Sequence, residues 1–220
     1  MSKKIPDRRN RALPNPEDAQ IKIFVVGLGS EFLDEARVAA ERAKIGETTQ
    51  PGFGGRGATA TAVLMAEAAS EAVLSEFVAS FEHRGVIAEP ITSEIRNERD
   101  HARQWARLLQ QLAPEYALGS SSEYRALNCV VRLRNALAHR NASHTTVGTW
   151  PLELDSCVRV GILPVLRYSG HLEWTGQVLT PIIAEWVCES VERWLGTAKA
   201  LLPDISISGA EPKDGSNSND

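Results

Sequence analysis

Cysteine is scarce in this chain: Cys129, Cys157 and Cys188 are odd in number and far apart. They match no zinc-type spacing and imply no disulfide framework, so reduced thiols in a cytoplasmic protein are expected. Uninterrupted apolar runs are short as well. None approaches the roughly 18 residues that span a bilayer, which excludes a membrane partner at this level. The N-terminus, MSKKIPDRRNRALPNP, is basic but has no apolar stretch behind it, so it is not read as a secretory signal. Charge of one sign is lacking too, with 24 Lys+Arg against 28 Asp+Glu and a net charge of −4. A protein that coats nucleic acid is thereby excluded, and any RNA contact must be local. His83, His101, His144 and His171 lack metal-ligand spacing. The glycine-rich Gly52–Gly57 segment lacks the lysine and hydroxyl of a phosphate loop. Ser120–Ser122 has no nucleophile-elbow context. No metal or cofactor is expected.

What the chain does have is helical periodicity. The composition, 43% hydrophobic and 24% charged over 220 residues, suits one sizeable core with a small appendage. Residues 1–20 read as a basic flexible arm, with five Lys/Arg in the first eleven positions. Residues 21–57 read as an N-terminal appendage ending in a Gly-rich linker. Within it, IKIFVVG reads as a strand or a buried helix start, followed by Gly27-Leu28-Gly29-Ser30. A nucleotide loop there is a weak reading, because the third glycine of the GxGxxG pattern is missing. Residues 58–202 carry the main helical pattern, and the polar tail 203–220 is expected to be disordered.

Four helices are predicted. Over 58–84, Val63, Ser70, Leu74, Phe77, Val78 and Phe81 share a face, and Gly85 ends the helix. Glu67 lies near that face, either as a partner for a buried cation or as an edge residue reaching water. Over 93–112, Ile95, Ala102, Trp105, Ala106, Leu109 and Leu112 face one way, Arg99, Arg103 and Arg107 crowd the rest, and Pro114 closes the helix. Trp105 is either core or a base-stacking platform. His101 has no evident partner. Residues 120–140 form a third helix, with Ser120, Ser121 or Ser122 as its cap. Residues 143–175 lose helical period, and Val165–Tyr168 and His171–Trp174 flank Ser169-Gly170 as a small β-hairpin. Thr180-Pro181 opens the last helix, whose stripe runs Leu179, Ile182, Ile183, Trp186, Ser190, Trp194, Ala198 and Leu201.

The third helix carries the chemistry. Leu127, Val130, Val131, Leu137 and Ala138 make an apolar stripe, and Arg134 falls inside it. A guanidinium there faces a core or an interface and needs a partner, since an unpaired buried charge is costly. Asn128, Arg132, Asn135 and His139 form a polar stripe beside it. From Arg96 to Arg140, eight arginines stand against four acids, a local +4 in a chain that is acidic overall.

Arg134-Asn135-Ala136-Leu137-Ala138-His139 resembles the R-N-x-x-x-H motif of HEPN-domain proteins. The likeness extends to its surroundings over roughly residues 58–202: an alanine-rich helix with acidic residues before it and a Trp-containing amphipathic helix after it. The resemblance implies an all-α, HEPN-like antiparallel bundle that dimerises. It also implies a metal-independent ribonuclease, often a toxin or antiphage effector, whose partners would be RNA and an antitoxin or other protein. Members that keep the fold but serve only as binding modules are the alternative. In this reading Arg134 meets the scissile phosphate and His139 moves protons, while Asn135 fixes the His139 ring. A two-fold axis through the motif helix would gather two such pairs in one cleft. Arg132, Arg140, Arg103 and Arg107 are candidate RNA contacts.

Overall fold

The computed structural model describes residues 27–138, 150–165 and 173–203. Their elements, in order, are α1 (Leu28–Thr49), α2 (Arg56–His83), α3 (Glu89–Asn97), α4 (His101–Leu112), α5 (Ser122–Ala138), α6 (Leu152–Arg159), α7 (Trp174–Val178) and α8 (Pro181–Leu201). The described residues contain no strand, and none of their helices is long and apolar enough to cross a membrane. The architecture is a helical bundle. The basic arm, the turn expected at Ser169-Gly170 and the polar tail after Asp204 lie outside the described residues. Of the expected hairpin's flanks, Val165, Glu173 and Trp174 are described, none in a strand, and Trp174 opens α7 buried in the core; α6 also corrects the expectation that 143–175 lacks helical period.

The expected N-terminal appendage is corrected from Leu28 onward. α1 packs along α2 and α8, and its alanines join the common core. Gly29, Leu33, Ala36, Ala40 and Ala43 are buried at alternating steps of four and three, facing Ala62, Ala66, Ala69 and Val73 of α2. Small side chains on both faces bring the backbones close. At the hairpin tip a Cβ on Gly46 or Gly54 would strike the other's backbone, so what looked like a linker is a tight closure. Gly29 belongs to the same seam, against Val73, and so has a packing role rather than that of a phosphate loop.

α2 ends as expected. Gly85 takes φ +66, Gly85 N–H donates to Glu82 at 2.9 Å and Val86 N–H to Phe81 at 2.8 Å, the paired bonds of a Schellman stop. The single helix expected over 93–112 is broken into α3 and α4 at Glu98–Asp100. There the Asp100 carboxylate accepts from Arg103 N–H at 3.0 Å and starts α4 afresh. Ser121 caps α5, accepting from Tyr124 N–H at 3.1 Å.

The core centres on aromatic rings. Trp105 meets Trp194 edge-on at 5.5 Å and Phe77 at 6.0 Å, and Tyr124 tilts against Trp194 at 5.6 Å. Trp105 is fully buried, which removes it as a stacking platform for bases. α8 packs against α1, α2 and α5, so its buried face is wider than one stripe. Val187, Val191 and Leu195 are buried, whereas Ile182 is about half exposed.

Candidate functional site

α5 leaves the core as it approaches the motif. Leu127, Val130, Val131 and Leu133 are buried, Leu137 is half-buried and Ala138 is exposed. Arg134 sits on this gradient with 35% of its side chain exposed. It does not face a sealed core. The guanidinium is nevertheless held. Its Nε lies 3.5 Å from Glu67 Oε2, and its Nη1 donates to Asn135 Oδ1 at 3.0 Å. Of the two readings of Glu67, the partner is the correct one: the residue is buried, not an edge reaching water.

The other Glu67 oxygen is also engaged. Oε1 lies 3.0 Å from Nδ1 of His101, the first residue of α4. The expectation that His101 has no partner is therefore corrected. Glu67 thus joins three helices through one carboxylate, α2 that carries it, α4 through His101 and α5 through Arg134. Beside it runs a second polar rung, in which Trp105 Nε1 donates to Ser70 Oγ at 3.0 Å. Glu67 and Ser70 are three apart on α2, and His101 and Trp105 are four apart on α4. Both pairs therefore point from one helix face to the other. That double spacing was present in the sequence. In the sequence Ser70 and Trp105 blend into apolar stripes, which hides it. Nε2 of His101 is buried and has no hydrogen-bond partner among the described residues.

The rest of the expected site separates. Asn135 Oδ1 accepts from Arg134, and His139, whose ring Asn135 is expected to fix, lies with Arg140 outside the described residues. Arg132 points elsewhere. Its Nε donates to Asn128 Oδ1 at 2.9 Å and its Nη1 to Ser156 Oγ at 2.8 Å, bracing α6 against α5. Arg107 pairs with Glu98 at 3.2 Å and Glu94 at 3.7 Å. Arg103 is exposed. It lines a shallow cleft of about 590 Å³ with Arg99, Arg107, Glu94, Glu98 and Asp100. Acids line that cleft alongside the arginines, so the local positive excess is partly neutralised. Arg103 and Arg107 also sit on the outer face of α4, opposite His101 and Trp105.

Two cysteines distant in sequence meet at the Arg132 brace. The two thiols are neighbours: Cys129, keeping its proton and facing Cys157, holds Cys157 below the usual thiol range with help from Arg132, while that neighbour together with burial pushes Cys129 up. The chain matches no family model, no curated protein and no solved structure.

Proposed function

We propose that the chain is a metal-independent endoribonuclease of HEPN type, working as a homodimer in the cytoplasm. One observation carries the reading. Arg134, the first residue of the motif, is a partly exposed guanidinium steered from behind by a buried carboxylate. A cation pre-set by a buried partner, with an edge left to solvent, is what binding a phosphate in a developing phosphorane requires. Arg134 would hold the non-bridging oxygens. His139 would take the proton from the RNA 2′-OH or return one to the leaving 5′-oxygen. The P–O5′ bond breaks as the O2′–P bond forms, leaving a 2′,3′-cyclic phosphate and a 5′-OH. A toxin or antiphage role, with an antitoxin as partner, follows from the resemblance alone.

A second reading, a non-catalytic module that binds RNA or a protein, draws support from Arg107 and Arg132. Both are committed to partners within the chain, which takes two of the candidate RNA contacts away and favours, within this reading, a protein partner. Incubation of purified protein with RNA in EDTA separates the readings. Wild type is expected to give cyclic-phosphate and 5′-OH ends and His139→Ala none. Cleavage that stops on chelation, or that yields 5′-phosphates, rules the mechanism out. Absence of cleavage together with RNA retention on a filter favours the binding module. A mixture of Arg134→Ala and His139→Ala chains tests the two-fold site: recovered activity in proven heterodimers supports a site shared between subunits.

A further inference from the structure

The Glu67 carboxylate is held by His101 before it is offered to Arg134, and the order of that chain has a consequence. α4 is anchored independently of the motif. Its Asp100 cap fixes the first turn, and the buried Trp105 is locked to Ser70 of α2 and stacked edge-on against Trp194 of α8. His101 therefore arrives at Glu67 from a rigid element. Its Nδ1, 3.0 Å from Oε1, pins one end of a planar carboxylate. Oε2, the other end, then faces Arg134 Nε. The guanidinium is planar too, and its rotation is limited by the Nη1 bond to Asn135. What remains unspent among the described residues is the Nη2 side of Arg134.

The orphaned Nε2 fits this arrangement. With Nδ1–H donating to Glu67, a neutral ring leaves only a lone pair unmatched at Nε2. A ring protonated on both nitrogens would bury an N–H donor with no acceptor among the described residues, the costlier defect. The ring is thus set as an Nδ1–H donor toward the carboxylate.

We propose that His101 is a positioning residue for Arg134, acting through Glu67: it orients the carboxylate that aims the guanidinium outward. In its catalytic consequence the inference rests on the ribonuclease reading, but its structural content does not.

The test has two readouts on the full chain. The first is the Arg134 Nε–H signal in ¹⁵N-labelled protein, assigned by its disappearance in Arg134→Lys. It is expected to be shifted away from exposed-arginine positions and slow to exchange. In His101→Leu, which keeps bulk but removes the donor, it should move to the exposed position. In His101→Asn, whose amide N–H replaces Nδ1–H, it should stay. If the leucine variant does not fold, His101→Gln serves, since its amide reaches toward the Nε2 rather than the Nδ1 position, and the signal should again be lost. An Arg134 signal that does not move in a folded His101→Leu or His101→Gln overturns the proposal. So does a wild-type ring found as the Nε2–H tautomer.

The second readout is cleavage of a mixed-sequence single-stranded RNA oligonucleotide. Losing a group that orients a catalytic side chain from behind costs roughly 10–100-fold. The loss in His101→Leu is expected in kcat, with KM changed by less than about twofold and with recovery in His101→Asn. Wild type that cleaves, Arg134→Ala that does not, and His101→Leu at full rate would overturn the positioning role. Arg134→Ala cleaving like wild type would defeat the ribonuclease reading and leave the spectroscopic result standing.

Discussion

Arg132 and Arg134 are two residues apart on one helix and live in different worlds. At about 100° per residue they project to nearly opposite sides of α5. Arg132 meets neutral partners, Asn128 and Ser156, and ties α6 to the bundle beside the Cys129–Cys157 thiols. Arg134 meets a buried carboxylate that His101 also holds. The contrast teaches that residue type and sequence neighbourhood do not assign a role. What assigns it is the partner that the rest of the fold brings up: a small α6 that needs fastening on one side, and a long α2 carrying one acid in an alanine-rich face on the other.

The widest separation between the two is expected in catalysis. Arg134→Ala should reduce RNA cleavage by about 10²–10³-fold, the scale of losing one group that meets developing charge. Arg132→Ala should reduce it by less than about tenfold and show itself first as a lower melting temperature, since its bonds fasten α6. Equal losses of activity with unchanged melting temperatures would erase the distinction and return Arg132 to the RNA-contacting set.

Stability sharpens the comparison next. Arg134→Leu leaves Glu67 buried with His101 alone, and a destabilisation of about 1–3 kcal/mol is expected by urea unfolding. Adding Glu67→Gln removes the stranded charge but keeps an oxygen for His101 Nδ1–H, and the double variant should regain part of that loss. A single Arg134→Leu variant as stable as wild type would mean that Glu67 does not depend on Arg134.

The smallest effect belongs to the Arg132 side. Cys157 is lowered and Cys129 raised, so the folded pair gives up one proton early and the second late. Between the lowered Cys157 value, about 6, and the ordinary thiol value of 9.0, the unfolded chain holds the extra proton and stability should climb with pH. Above that, the unfolded chain loses both protons while Cys129 keeps its own, and stability should fall again. Cys129→Ala, which removes the donor, should flatten this hump in a pH series of urea midpoints, and Arg132→Ala should narrow it from the acid side. A wild-type profile that is flat from pH 6 to 9 would mean that the thiols do not share a proton.

Much of this bundle could be read from the chain. Apolar spacing placed α2, α5 and α8, and Gly85 and Pro181 marked their ends, because those signals act within a few residues. α1 was missed as a core element because alanine and glycine give a weak apolar contrast, although small residues are what a close helix pair uses. The break at Asp100 was a legible cap overlooked inside a continuous stripe. Arg134 and Asn135 were found from the motif. His101 was set aside because its partner lies 34 positions away, and only packing reveals that Glu67 and Ser70 meet His101 and Trp105 in step.

The tip of the α1–α2 hairpin also speaks to ancestry. Where Gly46 of α1 meets Gly54 of the turn, a side chain on either would strike the other's backbone and force the closure to shift. Drift can reshuffle the apolar residues elsewhere while volume is kept, but it has no such latitude at this crossing. Descendants of a common ancestor that retain the hairpin should therefore retain this spaced glycine pair after most other identity has faded. That makes it a marker by which distant kin of this chain can be recognised.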